Sequence, residues 1–336
     1  MTRPPKKSGV VEGDPPVEIV IEFDDNRLLA RLLGPHNRNL AEIERRLGAR
    51  VAHRGNRLAV NGALETVQAT GELLRVLYAR LKRGEDLTPA EIEGEARLAA
   101  SGGQSSGLEI RTRRGVIRPR TRNQGAYVEA LQKKELVFGF GPAGTGKTYL
   151  AVAMAASLLL QNQVRRIILS RPAVEAGEKL GFLPGDIKEK VDPYLRPLYD
   201  ALFEMLPGEQ VQRWMESGEI EIAPLAFMRG RTLSHAFVIL DEAQNATPVQ
   251  MRMFLTRLGE GSRMVVTGDP TQTDLPAGHL SGLSEAESIL RGIDGVGLIR
   301  FTEEDVVRHD LVTRIVKAYA EHDGRAKPPA PRRAPG

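Results

Sequence analysis

Apolar and polar residues along the 336-residue chain fall into two blocks with different rhythms. In the first, residues 17–23 (VEIVIEF) alternate apolar with acidic side chains, the period of a half-buried strand. A helix is predicted over 26–33, broken at Gly34-Pro35. A second, over 39–47, carries Leu40, Ile43 and Leu47 at helical spacing and stops at Gly48. Residues 50–53 and 58–60 read as short strands around the Gly55-Asn56 turn, a hairpin arrangement. Residues 63 to about 81 form a long amphipathic helix. The predicted order is strand, helix, helix, strand, strand, helix.

The second block is more apolar. Residues 135–140 (ELVFGF) predict a short strand and 148–160 (TYLAVAMAASLLL) a nearly all-apolar helix. Further buried strands are predicted at 167–169, 236–240 (AFVIL) and 262–267 (SRMVVT). Thr247-Pro248 is a helix cap with proline at the first position, and Met251, Phe254, Leu255 and Leu258 form that helix's apolar face, closing at Gly259. Strands alternating with helices argue for a parallel α/β sheet whose strand ends share one edge, where ligands bind. Residues 175–231 are long for a connection. Pro184, Gly185, Pro193, Pro197 and Pro207 predict short helices in a mobile lobe there, with Tyr194 and Trp214 as packing residues.

Composition changes this picture little. The chain is 41% hydrophobic and 27% charged, enough for a proper core, while 5% aromatic residues argue against an exposed ring platform for bases. A net charge of +4 does not by itself establish a nucleic-acid partner. With no cysteine, disulfides, zinc–thiolate sites and thiol nucleophiles are excluded. The basic N-terminus has no apolar segment behind it, and no stretch reaches the roughly 18 apolar residues of a membrane span. A cytoplasmic protein with no membrane partner is expected. Residues 1–16 and 324–336, rich in proline and basic residues, are expected to be disordered. Residues 99–107 (AASGGQSSG) read as a flexible linker. The six arginines between Arg111 and Arg122 then predict a basic β-hairpin turning at Gly115.

The chemistry lies between the strand at 135–140 and the helix after it, in Gly141-Pro142-Ala143-Gly144-Thr145-Gly146-Lys147-Thr148. This is a phosphate-binding loop in its proper context. Its glycines let successive N–H groups point into one concavity, and the helix N-terminus adds partial positive charge. Lys147 is placed to reach the β- and γ-phosphates of ATP, and the Thr148 hydroxyl to ligate Mg²⁺. A second carboxylate is needed at the end of a neighbouring buried strand. The strand at 236–240 delivers Asp241 for Mg²⁺ and Glu242 to orient or deprotonate the attacking water, which favours hydrolysis over simple binding. The strand at 262–267 delivers Gly268-Asp269-Pro270-Thr271-Gln272 at the same edge.

DEAQ at 241–244 and GDPTQ at 268–272 resemble motifs two and three of superfamily 1 helicases. Together with NQGAYVEAL from Asn123, LSRPAVEAGEKLGFLPGD from Leu169 and FTEEDVVRHDLV from Phe301, they resemble the PhoH family of P-loop ATPases over nearly the whole chain. The resemblance implies that Gln124 recognises adenine, that Gln272 senses the γ-phosphate, and that Arg308 stabilises the transferring phosphoryl charge. It also implies that Ser170, Arg171 and Pro172 relay the nucleotide state to a bound strand. The absence of an Asn-Lys-x-Asp signature agrees with ATP rather than GTP.

The element order of the first block, with Gly34-Pro35-His36-Asn37 between its first two helices, resembles the eukaryotic-type KH domain. That resemblance implies an RNA-binding loop in which Gly34, His36, Arg38 and Arg46 meet the phosphate chain. Asn37 stands where the second loop glycine belongs, and a degenerate KH-like fold making protein contacts is the alternative.

The expected fold class is α/β: a RecA-like P-loop parallel sheet with helices on both faces, preceded by a small α+β KH-like domain. The expected division is a KH-like domain at 17–98, linker and hairpin at 99–122, and the ATPase domain at 123–323. Too few residues follow Arg300 for a second RecA-like domain. Arg308 therefore acts either in cis or on a neighbouring subunit, and a homo-oligomer is expected. Two functional readings stay open: an ATPase that remodels single-stranded RNA, and an ATP-switched module that recruits a protein partner in RNA processing. A small-molecule kinase is disfavoured, since it gains nothing from a water-activating Glu242.

Overall fold

The computed structural model describes residues 16–102, 108–172, 187–276 and 281–307, together with Ile315. Residues 1–15 and 324–336 of the expected disordered ends, part of the Gly/Ser linker, Pro184, Gly185 and Arg308 lie outside the described residues. The chain divides into two compact units, Met1–Lys133 and Lys134–Gly336.

In the first unit, the apolar–acidic alternation becomes strand β1 (Val17–Glu22), which buries Ile21 and exposes Glu18 and Glu22. Asp25 caps helix α1 (Asn26–Leu33) by accepting from the N–H groups of Arg27 and Leu28 at 2.7 and 3.3 Å. Gly34 ends that helix at φ 74°, where a Cβ would come within 2.6 Å of the Asn39 side chain. His36 and Asn37 follow at φ 52° and 59°, so Asn37 supplies the left-handed backbone expected of it. Helix α2 (Arg38–Leu47), strands β2 (Arg50–Arg54) and β3 (Arg57–Gly62), and helix α3 (Leu64–Lys82) come next. The strands form an antiparallel sheet in the order β1-β3-β2, with Ile19 opposite Val60 and Ile21 opposite Leu58. Leu29, Leu32, Ile43, Leu58, Val60 and Leu74 make the core beneath the helices.

Helix α4 (Pro89–Ala100) is not among the predicted elements. Its signal is local and legible: Thr88 and Glu91 form a reciprocal capping box, with Pro89 at the first helical position. The arginine-rich segment forms β4 (Ile110–Arg111) and β5 (Val116–Ile117), with the Thr112 N–H donating to Gly115 O at 2.9 Å across the turn. Helix α5 (Arg122–Lys133), which carries Gln124, also falls in this unit and buries Tyr127, Val128 and Leu131.

The second unit is built on a six-stranded, all-parallel sheet in the order β11-β6-β10-β9-β7-β8. These strands are β6 (Leu136–Phe140), β7 (Arg166–Arg171), β8 (Ile220–Pro224), β9 (Ala236–Leu240), β10 (Arg263–Gly268) and β11 (Val296–Arg300). Helix α6 (Lys147–Leu160) packs on one face of the sheet and buries residues 150–159, as a helix apolar all round must. Helices α9 (Pro248–Leu255) and α10 (Gly282–Leu290) cover the other face through Met251, Phe254, Leu283 and Ala286. This is the P-loop α/β architecture expected from the sequence.

Two expectations are corrected. Among the described residues after β7, Pro193 and Pro197 do not separate short helices, whereas Pro207 does stand between two helices. Helix α7 (Ile187–Met205) runs unbroken through Pro193 and Pro197, helix α8 (Gly208–Glu216) follows, and β8 extends the central sheet. Each interior proline costs about 3 kcal/mol. Burial of Leu195, Leu198, Leu202 and Met205, at roughly 1.5–3 kcal/mol each, outweighs that cost. The strand carrying Asp241 is also not beside the phosphate-loop strand: β10 lies between β6 and β9.

The first unit holds its own electrostatic knot. Arg80 is 2% exposed and pairs with Glu85 at 3.0 Å, Glu91 at 2.5 Å and Glu95 at 3.6 Å. Burial pushes the Glu91 carboxyl up, but the amide and hydroxyl of Thr88 and the Arg80 guanidinium outweigh it and hold it below the ordinary range. Glu85 is likewise held low, by Arg80, Arg83 and Arg118 against burial. Carboxyls held low stabilise fully above their unfolded value of about 4.3, and lose that contribution as pH falls through the lowered native value. Replacing Arg80 by Ala is expected to cost about 3–5 kcal/mol at pH 7 by taking the shared guanidinium away from Glu85, Glu91 and the buried Glu95. In thermal unfolding, the gap between variant and wild type should narrow on acidification below pH ~4.

Candidate active site

The phosphate loop follows β6 and turns on three left-handed glycines, Gly141 (φ 137°), Gly144 (φ 83°) and Gly146 (φ 83°). Gly141 is required twice over, because a Cβ there would come within 2.5 Å of the Phe301 carbonyl oxygen. Its own N–H donates to Gly268 O at 3.1 Å, tying the loop to the end of β10. The Val307 N–H donates to Gly144 O at 3.0 Å, so the strand-to-terminus connection also grips the loop.

Lys147, the first residue of α6, is 8% exposed, and its ammonium is drawn inside the loop. It donates to Gly141 O and Pro142 O, each at 2.7 Å, and to the Thr145 hydroxyl at 3.3 Å. Thr145 in turn donates to Pro142 O at 2.9 Å. The loop thus carries a buried positive charge at a helix N-terminus, the electrostatics that favour a phosphate.

Asp241 follows β9 and faces Thr148 although β10 lies between their strands. The Thr148 hydroxyl donates to Asp241 Oδ1 at 2.6 Å, and the Thr267 hydroxyl donates to the same oxygen at 2.7 Å. Thr267, near the end of β10, closes the gap that the intervening strand opens. The Asp241 N–H is fixed as well, donating to Ser170 O at 2.9 Å. One hydroxyl and one carboxylate form a sparse, hard-oxygen donor set. Among the described residues there is no group of three or more carboxylates or histidines able to cage a metal alone. Such a set fits Mg²⁺, which is usually held by one or two protein groups together with phosphate oxygens.

Glu242 sits beside this pair in the left-handed region, at φ 51° and ψ 39°. Its Oε2 accepts from Gln244 Nε2 at 2.5 Å, and its Oε1 lies 3.2 Å from Arg171 Nη2. Gln244 Oε1 accepts the Asp269 N–H at 3.1 Å, and Gln272 Nε2 donates to Asp269 Oδ2 at 2.8 Å. Asn245 continues the seam, with Nδ2 donating to Asp274 Oδ2 at 3.2 Å and Oδ1 accepting the Asp274 N–H at 2.8 Å. Gly268 leaves room for this seam, since a Cβ there would come within 2.6 Å of Gln244 Oε1.

The structure therefore brings together Gly141 to Thr148, Asp241 and, through Asp241, the adjacent Glu242. Gln272 lies on the turn after β10, folded onto Asp269. Arg171 sits against Glu242. Gln124 belongs to the first unit, where its Oε1 accepts the Arg120 N–H at 2.7 Å. Gly34, His36 and Arg38 form an exposed or half-exposed loop in that unit, while Arg46 is paired with Glu42 at 2.8 Å and with Glu93. Thr267, Gln244 and Asn245 are absent from the sequence-based candidates. Gln244 closes the DEAQ motif and Asn245 follows it, so the motif marks both; Thr267 carries no signal until β10 is placed between β6 and β9.

The family of PhoH-like proteins matches residues 116–320. The PhoH-like protein of Mycobacterium tuberculosis is 49% identical over 343 aligned residues, covering 100% of this chain and 97% of that one. That of Bacillus subtilis is 50% identical over 295 residues, covering 86% of this chain and 92% of that one. Protein PhoH of Escherichia coli is 50% identical over 206 residues, covering 61% and 58%.

The close approach at Gly141 makes a direct test of the loop's packing. Gly141→Ala is expected to destabilise by at least the roughly 1–3 kcal/mol of an unfavourable backbone conformation. Thermal unfolding of the second unit should shift to lower temperature accordingly.

Proposed function

This chain belongs to the PhoH-like protein family, and from that premise we propose that it binds ATP with Mg²⁺ and hydrolyses it in the service of RNA. The observation that carries the reading is the 2.6 Å contact between the Thr148 hydroxyl and Asp241, at the mouth of a phosphate loop and one residue before Glu242. A bound Mg²⁺ would supply positive charge against the negative charge that develops on the phosphates. Thr148 and Asp241 are the residues that would hold it. Lys147 leaves its loop carbonyls for the β- and γ-phosphates, and the loop N–H groups complete the cradle. Glu242 accepts a proton from water as the water oxygen bonds to the γ-phosphorus. The bond from that phosphorus to the β,γ-bridging oxygen breaks, and its electron pair leaves with ADP.

Gln272 senses the γ-phosphate in this reading, and its link through Asp269 and Gln244 to Glu242 supports that role. Arg308 supplies the charge-stabilising arginine. The Val307 N–H bonded to Gly144 O ties the preceding residue to the loop of its own chain, which favours action in cis. Gln124 reads adenine. Single-stranded RNA is taken as the partner, contacted by the loop of Gly34, His36 and Arg38, by the exposed Arg113 and Arg114 of the β4–β5 hairpin, and by Arg171. The three-stranded order β1-β3-β2 with a glycine loop between α1 and α2 supports the KH-like reading of the first unit. A homo-oligomer in the cytoplasm is part of the same proposal. The second reading, a slow ATP-switched module that recruits an RNA-processing protein, is favoured by the engagement of both Glu242 oxygens, which is suited to low basal turnover.

Glu242→Gln is expected to keep ATP affinity and lower turnover by about 10²–10⁴-fold, the usual worth of a general base. Lys147→Ala should abolish nucleotide binding in equilibrium titration. RNA-stimulated turnover with strand displacement supports the remodelling enzyme; turnover indifferent to RNA in a chain that still binds a protein partner supports the switch. Mixing Arg308→Ala with Lys147→Ala chains tests the arginine: no recovered turnover supports action in cis, and recovery means trans.

A further inference from the structure

Glu242 is gripped from two sides, and the two grips lead to different places. On one side Gln244 holds Oε2 and connects, through the Asp269 N–H, to the turn that carries Gln272. On the other, Arg171 holds Oε1 from the last position of β7. The backbone between them is locked, because the Asp241 N–H donates to Ser170 O, one residue before Arg171. A carboxylate whose two oxygens are both engaged by fixed neighbours is oriented by them rather than by the attacking water. Its left-handed backbone at φ 51° and ψ 39° is a conformation that a non-glycine residue holds only when its surroundings impose it.

The Arg171 grip is the weaker of the two. At 3.2 Å it is longer than the roughly 2.7–2.9 Å of a strong charge-assisted contact. The side chains of Arg171 and Glu242 are 23% and 39% exposed, so both are reached by water and by ligands. A guanidinium is also a planar fork that matches a phosphate better than a single carboxylate oxygen at this distance.

We propose that Arg171 is a positioning residue that restrains Glu242 in an idle orientation, and that the phosphate backbone of a bound single strand frees Glu242 by taking the guanidinium. The ATPase would then run slowly alone and faster on a strand, with Arg171 as the coupling element. This inference rests on the ATPase reading given above and adds its regulation. A partly exposed pair of this kind is worth up to about 1 kcal/mol, which converts to about fivefold in the idle-to-active ratio.

The test uses the full chain and a synthetic single-stranded oligoribonucleotide, with kcat and KM for ATP measured in its presence and absence. Arg171→Ala is expected to raise basal kcat about fivefold, leave KM unchanged, and reduce stimulation by the strand to near unity. Arg171→Lys, which keeps the charge, should restore low basal turnover and part of the stimulation. Arg171→Gln serves in place of the Ala variant if that fails to fold. Basal kcat at or below the wild-type value in the neutral variant overturns the restraint, as does a wild type whose turnover ignores the strand. Two controls separate the failures: a wild type with no ATP turnover overturns the ATPase reading itself, whereas Glu242→Gln turning over as fast as wild type removes Glu242 as the base and with it the restraint by Arg171.

Discussion

The site depends on one shared acceptor. Asp241 Oδ1 collects the hydroxyls of Thr148, on the first turn of α6, and of Thr267, on β10. These two short contacts join three elements: the phosphate-loop helix, the strand that ends at Asp241, and the strand between that one and the loop. A buried carboxylate without donors would cost several kcal/mol. Here the donors come from the two elements that must be aligned for phosphate chemistry, so satisfying the carboxylate also aligns the site.

Everything else at the strand edge extends that alignment. Gly141 bonds to the end of β10 and packs against Phe301, and Val307 bonds to Gly144, so the loop is held on both flanks. Gln244 and Asn245 stitch the turn after β9 to the turn after β10, at Asp269 and Asp274. Hydrogen bonds thus join the phosphate loop to the turn that carries Gln272, and an ion pair joins Arg171 to Glu242. The seam is polar and short, and it runs along the edge where an open parallel sheet meets its ligands.

The first unit follows a different logic. Its core is the one-sided packing of helices on a three-stranded sheet, and a group of its charged residues pairs internally around Arg80 and Arg118. In the segment 108–122, Arg118 is drawn into this pairing. Arg111, Arg113, Arg114, Arg120 and Arg122 of the same segment are exposed.

The sequence alone determined the elements whose signals are local. Alternation marked β1, Gly34-Pro35 and Gly48 ended α1 and α2, and the glycine spacing before Lys147 marked the phosphate loop, because each of these reflects backbone geometry within a few residues. Even α4 was within reach through Thr88 and Glu91. Tertiary structure decided what depends on elements distant in sequence. It set β10 between β6 and β9, made Thr267 a ligand of Asp241, carried α7 through two prolines, and turned Arg171 toward Glu242. The reason is physical: strand order and cross-strand hydrogen bonds are settled by which buried faces pack together, and no window of consecutive residues contains that information.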